Sequence, residues 1–385
     1  MVTAFEFSTA GRIVFGPGTV REAGSAARSL GRRAFLVTGA AGRRAGVIRE
    51  QLAANGIAIE EAAVAAEPAI GDVAAAVESA RRAGCDLVVA FGGGSVIDAA
   101  KAVAALAPNP GEAADYLEVI GMGRPLDLPP LPCLAIPTTA GTGSEVTRNA
   151  VLASPAHKLK VSLRGPHLLP KVAIVDPLLT HSLPPALTAS TGMDALTQLV
   201  EPYVSCRANP ITDSLCVEGL RRVGRSLRRA FLDGSDSAAR EDMAIASLFG
   251  GLALANAGLG AAHAFTGPIG GSFPAPHGAL CGALLAPSME VNRRAAHRRL
   301  AGETERRYAE IARILTGSHA AAPADGIAWV RGLAEELGVP RLRAYGVGPG
   351  DFPALAAKAA GTSSMKGNPF PLASEECVEL LALAV

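Results

Sequence analysis

Continuous apolar strands alternate with helical segments through the first half of the chain. Ala34–Thr38 and Asp86–Phe91 are short apolar runs, and residues 44–55 and 70–83 have the pattern of helices. Strands that alternate with helices of about a dozen residues indicate βαβ units. Because parallel strands need a crossover connection, this order predicts a parallel sheet with helices on both faces.

A run of glycines follows the second of these strands. Gly92-Gly-Gly-Ser95 opens a helical segment that continues through Lys101. Glycines at the carboxyl end of a parallel strand let the backbone approach a phosphate, and the helix N-terminus supplies free N–H groups. The run lacks the Gly-x-Gly-x-x-Gly spacing, so a glycine-rich turn without a ligand is the alternative. Three consecutive glycines cost conformational entropy, which favours phosphate binding.

A second loop of this kind follows a third apolar strand. Residues 131–137 form the strand, and Thr138–Asn149 is dense in hydroxyls and glycines. Such a loop can provide further hydrogen-bond donors, so that the two glycine-rich loops together would bind one dinucleotide. The alternative is a polar turn without a ligand. Lys160 lies near this loop in the sequence and can reach a phosphate or a ribose. The alternative is that Lys160 is a solvated side chain without a role in binding.

Helical periodicity replaces the strand pattern beyond Pro177. Eight amphipathic segments occupy the remainder, and Leu183-Pro-Pro185 marks the change. The length of 385 residues suits two domains, and a hydrophobic content of 49% provides for a large core. We predict a dinucleotide-binding α/β domain over residues 1–178 and a helical metal and substrate domain over residues 179–385.

One carboxylate and two imidazoles in the second half suggest a divalent metal. Asp194 lies on a predicted helix, and His263 and His277 flank the glycine-rich segment Gly267–Pro276. Carboxylate and imidazole are ordinary ligands for such ions. A buried structural aspartate with two structural histidines is the alternative.

Composition excludes several other classes of protein. The net charge is +1, and lysine and arginine are not massed in one run, so nucleic acid and anionic membranes are not expected partners. The six cysteines are scattered without a Cys-x-x-Cys pair, which indicates free thiols in a reducing compartment. With no signal peptide and no membrane span predicted, we expect a cytoplasmic protein.

These motifs together resemble the group III, iron-containing alcohol dehydrogenases, within the superfamily of glycerol dehydrogenase and dehydroquinate synthase. The similarity covers nearly the whole length. The carriers are Phe15-Gly-Pro-Gly18, Gly92-Gly-Gly-Ser-Val-Ile-Asp-Ala-Ala-Lys101, Pro137-Thr-Thr-Ala-Gly-Thr-Gly-Ser-Glu145, Ala173-Ile-Val-Asp-Pro177, Gly192-Met-Asp-Ala-Leu-Thr197 and Pro276-His-Gly278. The resemblance implies a Rossmann-like α/β domain followed by an all-α domain, in a dehydroquinate synthase-like arrangement.

The resemblance also implies a dinucleotide site and a metal site. Its metal would be iron or zinc, with Asp194, the residue four later (Gln198), His263 and His277 as ligands, and with Asp194, His263 and His277 as the catalytic group. The predicted residues for binding NAD or NADP are Gly39, Gly93, Gly94, Ser95, Asp98, Thr138, Thr139, Thr142, Thr147, Asn149, Lys160 and Leu178.

Two positions depart from the family pattern in the metal region. Gln198 stands where the family usually has His. Gly267, four residues after His263, stands where many members have a second His. An amide oxygen is a poorer ligand for iron or zinc than imidazole. Either a weaker site survives on Asp194, His263 and His277, completed by Gln198 or water, or the metal is dispensable, as in maleylacetate reductases.

The residue that follows the strand Ala34–Thr38 affects the choice between NAD and NADP. Many NAD-preferring members place an Asp after this strand, where it grips the ribose hydroxyls; here the residue is Gly39, and Arg43 and Arg44 follow. The loss of the carboxylate and the addition of guanidinium groups favour binding of NADP, or at least allow the site to accept NADP. Two solvated arginines at a helix start are the alternative.

The predicted function is reversible hydride transfer between NAD(P)H and a small aldehyde or ketone, with metal polarisation of the oxygen. The apolar surroundings of His263, namely Ala261, Ala262, Ala264, Phe265 and Phe273, suggest a small uncharged or aromatic substrate. The alternatives are a metal-independent reductase of the maleylacetate type and a dinucleotide-binding protein with impaired catalysis. A homodimer is expected from the resemblance.

Overall fold

The computed structural model describes residues 4–40, 42–117, 120–157 and 159–385, without the side chain of Arg43. It divides into two compact units. One unit comprises Ser8–Thr139 and Gly143–Thr180. The other comprises His181–Val385 together with Ala140–Thr142 and the N-terminal segment that ends at Phe7.

The first unit is built on a parallel sheet of six strands in the order β1-β8-β5-β4-β2-β3. A two-stranded antiparallel hairpin, β6-β7, accompanies it. The strands are β1 (Arg12–Phe15), β2 (Arg33–Gly39), β3 (Ala58–Val64), β4 (Leu87–Gly92), β5 (Cys133–Pro137), β6 (Asn149–Ser154), β7 (Leu159–Arg164) and β8 (Val172–Val175).

Four helices belong to this unit: α1 (Ala23–Leu30), α2 (Gly46–Ala54), α3 (Ile70–Ala83) and α4 (Gly94–Leu106). Side chains of β4 alternate between two apolar clusters, with Val88 and Ala90 in one and Leu87 and Val89 in the other. Successive side chains of a strand point to opposite faces, so the sheet is buried on both. This is why its central strands are continuous apolar runs.

The strand order reverses direction beside β2. The chain passes from β2 outward to the edge strand β3 and returns to β4 on the other side of β2. In parallel α/β sheets, ligands bind at the carboxyl ends of the strands next to such a reversal. Gly39 ends β2, and Gly92 ends β4, so both termini lie at this edge.

The second unit is built from helices. They are α5 (Pro185–Val204), α6 (Pro210–Leu232), α7 (Ser237–Ala257), α8 (Ala261–Ser272), α9 (His277–Arg298), α10 (Gly302–Thr316), α11 (Pro323–Glu336), α12 (Phe352–Ala360) and α13 (Ser374–Ala384). One apolar cluster joins α5, α6, α7, α9, α10 and α11, and a second joins α8, α9, α12 and α13. The predicted fold class, an α/β part followed by an all-α part, is confirmed.

No single helix in the described ranges is long and apolar enough to cross a membrane. One pair of helices, α7 with α8, meets the test of length and composition together, but it is bent by 97° at the break.

Candidate metal centre

Four side chains of the helical unit converge on one point. Asp194 comes from α5, His263 from α8, and His277 and Cys281 from α9. Each offers one ligand atom, and the four atoms all lie within 4.8 Å of one another. Oxygen, imidazole nitrogen and thiol sulfur are all ligands of divalent transition metals, so this donor set fits such an ion.

Asp194 Oδ1 lies close to all three of the other ligand atoms. It is 3.3 Å from His263 Nε2, 3.6 Å from His277 Nε2 and 3.3 Å from Cys281 Sγ. The sulfur in turn lies 3.5 Å from His263 Nε2 and 3.6 Å from His277 Nε2. The three residues predicted as the catalytic group, Asp194, His263 and His277, are therefore brought together.

Two glycines allow α9 to lie close against α5. A Cβ atom at Gly278 would stand 2.4 Å from the backbone oxygen of Ser190, and one at Gly282 would stand 3.1 Å from Met193 Cβ. Side chains at these positions would push the helices apart. The ligands His277 and Cys281 each precede one of these glycines, so the close contact carries both ligands toward Asp194.

Glu201 holds His263 from the side opposite the cluster. Its Oε2 lies 2.6 Å from His263 Nδ1, and its Oε1 accepts a hydrogen bond of 2.6 Å from the backbone N–H of Ala262. A carboxylate on one ring nitrogen fixes the tautomer and orientation of an imidazole and leaves the other nitrogen for a metal. Here the free nitrogen is Nε2, which faces Asp194.

Asn368, near the C-terminus, stabilises the start of α8. Asn368 Oδ1 accepts a hydrogen bond from the Ala261 N–H, and its amide is paired with that of Asn292 at 2.8 and 3.0 Å. A Cβ at Gly260 would stand 3.0 Å from both Asn368 Oδ1 and Glu201 Oε1. The start of α8 is thus fixed by two satisfied polar side chains.

The electrostatics of the group favour a bound cation. Burial would raise the pKa of Asp194, but the charge of His277 and hydrogen bonds from both histidines outweigh it and hold that pKa far below its ordinary value. Burial would lower the pKa of His277, but Cys281 and Asp194 raise it to about 10. The same balance, with Cys281 and Glu201 as the main charges, raises the pKa of His263 well above 6.5. A metal ion would take the place of these protons.

Access to the group is uneven. The side chains of Asp194 and His263 are each 4% exposed, whereas that of His277 is 35% exposed. His277 is therefore the most solvent-exposed of these three side chains.

The prediction of Gln198 as the fourth ligand is wrong, and Cys281 completes the group instead. Gln198 lies one turn after Asp194 and is buried, but its Nε2 donates a hydrogen bond of 2.7 Å to the Thr142 carbonyl. That bond ties its amide to the backbone. Thr142, predicted to bind the cofactor, also donates from its hydroxyl to Asp194 Oδ2 at 2.7 Å.

The apolar residues around His263 do not all line a cavity, contrary to expectation. Ala261, Ala262, Ala264 and Phe265 are fully buried in the core of the helical unit, and only Phe273 is partly exposed. They therefore say little about substrate size.

Most of the predicted dinucleotide residues lie at the carboxyl edge of the sheet. Gly93 precedes α4, which begins at Gly94 and Ser95, and Thr138 follows β5 with its N–H bonded to the Gly92 carbonyl. A Cβ at Gly93 would stand 3.2 Å from the Thr139 side chain. Gly39 ends β2 and Leu178 follows β8 at the same edge, and Leu178 is exposed.

Other predicted cofactor residues are held by internal partners. Asp98 lies 3.1 Å from the buried Lys101 Nζ and accepts from the Val151 N–H. Lys101 also donates to Thr147 Oγ1 and to the Asn149 carbonyl. Lys160 is paired with Glu67 at 2.7 Å. Their binding of a dinucleotide remains a prediction.

Sequence reasoning missed two members of the metal centre. Cys281 stands four residues after His277, a spacing that places both on one face of a helix. Glu201 stands seven residues after Asp194, which is two turns along the same face of α5. Both spacings were readable from the sequence, but a cysteine in an apolar helix is more often a core residue.

Comparison with known proteins agrees with this geometry. Residues 10–177 match the family described as iron-containing alcohol dehydrogenase, and residues 188–385 match the Fe-containing alcohol dehydrogenase family, C-terminal. The chain is 38% identical over 377 residues to the probable alcohol dehydrogenase EutG of Escherichia coli (strain K12), covering 96% of this chain and 92% of that one. It is 37% identical to the 1,3-propanediol dehydrogenase of Klebsiella pneumoniae, covering 92% of each.

The fold is also similar to solved structures of oxidoreductases. A crystal structure of 1,3-propanediol oxidoreductase superposes with a TM-score of 0.92 at 34% identity over 100% of both chains. Sulfoacetaldehyde reductase from Bifidobacterium kashiwanohense, solved in complex with NAD+, gives a TM-score of 0.85 at 29% identity over 99% of both chains.

The parallel α/β unit, the helical unit and the buried cluster of carboxylate, imidazole and thiol groups together define a dehydrogenase fold with a candidate metal site. The chain belongs to the iron-containing alcohol dehydrogenase family. It is an alcohol dehydrogenase, an oxidoreductase that acts on CH–OH groups and uses NAD(P).

Proposed function

We propose that this alcohol dehydrogenase interconverts small uncharged primary alcohols and their aldehydes, depends on a divalent metal, and accepts NADPH as well as NADH. The observation that carries the metal dependence is the convergence of four ligand atoms from Asp194, His263, His277 and Cys281 within 4.8 Å. When bound, the ion supplies Lewis-acid polarisation of the substrate oxygen, and the dinucleotide supplies the hydride.

The residues of this chain prepare the cluster for that role. Glu201 keeps the Nδ1 proton of His263, so that Nε2 presents its lone pair to the cluster. Thr142 donates to one oxygen of Asp194 and leaves Oδ1 facing the other ligand atoms. The partly exposed His277 forms the side on which the substrate oxygen arrives.

The acceptance of NADPH is supported by the end of β2. No carboxylate stands at Gly39, and a Cβ atom there would meet nothing within 4 Å. A 2′-phosphate therefore encounters neither negative charge nor bulk at this residue. Arg44 donates to the Leu179 carbonyl, which keeps a guanidinium near the same edge. The predicted role of Arg43 lies outside the described side chains.

The substrate class is supported by the relatives. The names of two similar proteins specify 1,3-propanediol, which is a small uncharged diol.

A panel of aldehydes tests the proposal. The purified protein is assayed with C2–C6 aldehydes and with NADPH or NADH, before and after removal of metal with a chelator and after readdition of Zn2+ or Fe2+. Activity should be lost on chelation and restored by metal, and His277→Ala should abolish turnover. Activity that survives chelation would instead indicate a metal-independent reductase, and cofactor binding without turnover would indicate impaired catalysis. Light scattering on the same sample tests the expected homodimer.

A further inference from the structure

We propose that Cys281 binds the metal as a thiolate, replacing the imidazole that Gln198 does not supply, and that this makes the centre select zinc over iron. The inference rests on the proposed function only in assigning its metal. A site of one carboxylate, two imidazoles and one thiolate differs from the set of one carboxylate and three imidazoles that the family resemblance implied.

The first support is the shape of the cluster. A tetrahedral zinc ion, with bonds of about 2.3 Å to sulfur and about 2.0–2.1 Å to nitrogen and oxygen, separates sulfur from its neighbours by roughly 3.5 Å and nitrogen from oxygen by roughly 3.3 Å. The sulfur of Cys281 lies 3.3, 3.5 and 3.6 Å from the other three ligand atoms. Asp194 Oδ1 lies 3.3 and 3.6 Å from the two imidazole nitrogens. These five of the six separations are close to the tetrahedral values, and the sixth, between the two imidazole nitrogens, is within 4.8 Å.

The second support is the environment of the thiol. Cys281 is fully buried, and the hydrogen-bond partners recorded for its sulfur are Asp194 and the two imidazoles. By contrast, the exposed Cys206 donates its thiol to a backbone carbonyl, that of Lys366. The sulfur of Cys281 is therefore directed at metal-ligating atoms.

The third support is the fate of Gln198. Its amide nitrogen is bonded to the Thr142 carbonyl, and its Cβ is packed against the α7 backbone, where a Cβ at Gly250 would stand only 3.3 Å away. The residue is held as a structural link. The fourth donor in the group of converging ligand atoms belongs to α9, where Cys281 stands one turn after His277.

Charge and softness then decide the metal. Asp194 and a thiolate together carry two negative charges, which neutralise a divalent cation in a buried site. A thiolate is a soft ligand that favours zinc over iron in a mononuclear site with imidazole, and the Irving–Williams order acts in the same direction. Asp194, His263, His277 and Cys281 would hold the ion, which would supply Lewis-acid polarisation of the substrate oxygen.

Cobalt substitution of the full chain tests the sulfur ligand without any assay of turnover. The metal-free protein is loaded with Co2+, and its absorption is recorded. A thiolate-to-cobalt charge-transfer band in the near ultraviolet is expected, and Cys281→Ser and Cys281→Ala should lose it. The matched control Cys377→Ser, a buried cysteine of the same unit outside the cluster, should retain the band.

X-ray absorption of the zinc-loaded protein provides a measurement that needs no variant. A sulfur scatterer at about 2.3 Å is expected. Metal competition completes the test: Cys281→Ala should lower the preference for Zn2+ over Fe2+ by about tenfold or more. The inference is overturned if the wild type shows no sulfur in either spectrum, if the band survives in Cys281→Ala, or if the wild type takes up iron in preference to zinc.

The outcomes separate this inference from the proposed function. A protein that reduces aldehydes but shows no sulfur ligand keeps its function and loses the inference. A protein that shows the charge-transfer band but turns over no aldehyde keeps the inference and loses the function.

Discussion

Glu201 Oε2 lies 2.6 Å from His263 Nδ1, on the far side of the imidazole from the metal-ligand cluster. Glu201→Gln replaces the charged acceptor by an amide and should lower metal affinity by about 10–100-fold, because a carboxylate partner raises the basicity of a ligating histidine. Metal titration against a competing chelator measures the effect. Glu290→Gln is the control, since Glu290 is a buried carboxylate on α9 that pairs with Arg293 and Arg294. Equal losses in both variants would contradict a positioning role.

Gly278→Ala should damage both stability and metal binding. The added methyl would stand 2.4 Å from the backbone oxygen of Ser190, and backbone cannot rotate away as a side chain can. We expect a loss of about 1–3 kcal/mol in the free energy of unfolding. Urea unfolding and metal content measure the two effects. At Gly302 a Cβ meets nothing within 4 Å, so Gly302→Ala should leave both unchanged. Normal metal content in Gly278→Ala would refute the prediction.

Gly39→Asp should shift the dinucleotide preference toward NADH. The position has space for a side chain, and the new carboxylate would accept from ribose hydroxyls while repelling a 2′-phosphate. The ratio of kcat/KM for NADPH to that for NADH should fall by about tenfold or more, since like charges placed side by side cost several kcal/mol and about 1.4 kcal/mol corresponds to a tenfold change. Gly302→Asp adds the same charge elsewhere. An unchanged ratio would place the 2′-phosphate away from β2.

Lys101→Met should destabilise the α/β unit. The Lys101 ammonium group is fully buried and is bonded to Asp98, Ser144, Thr147 and the Asn149 carbonyl. Removing one partner of a buried ion pair leaves an uncompensated charge and costs about 3–5 kcal/mol. Urea unfolding measures the loss. The double variant Lys101→Met with Asp98→Asn should recover part of it, and a loss below about 1 kcal/mol in the single variant would argue against this network.

Glu376→Gln should weaken the protein at neutral pH more than in acid. Burial would raise the pKa of Glu376, but hydrogen bonds from Arg299, the Ala373 N–H and Arg298 lower it to about 2. The folded pKa lies below the unfolded value of about 4.3, so the stabilisation is present above pH ~4.3 and is lost as the pH falls toward about 2.

Urea unfolding of wild type and Glu376→Gln at pH 7 and at successively lower pH measures this dependence. The difference in the free energy of unfolding should shrink on acidification. A difference that stays constant with pH would show that Glu376 acts through packing alone.

The sheet was the part of the fold most open to prediction from sequence. β2, β4 and β5 are short apolar runs because both faces of the sheet are covered, and their alternation with helices dictates parallel pairing. The β6–β7 hairpin was not predicted. Its buried residues, such as Leu152 and Val161, lie in short segments that directly follow a loop dense in hydroxyls and glycines, and the alternation of polar and apolar residues is clear only in β7.

The metal centre was predictable in part. Asp194, His263 and His277 are recognisable from residue type and motif, and the structure brings them together. Cys281 and the tie between Gln198 and Thr142 were not recognised, because each depends on which helices meet. The packing of α5 against α9 brings Cys281 close to Asp194, and no local sequence pattern predicts that packing.

Gly278 and Gly282 set how far the axes of α5 and α9 stand apart, and the ligands His277 and Cys281 are carried by the same stretch of α9. The distance between these two helices thus sets the separation of the ligand atoms that they carry. The size of ion that the four donors can surround therefore depends on the absence of side chains at these two glycines as well as on the identity of the donor atoms.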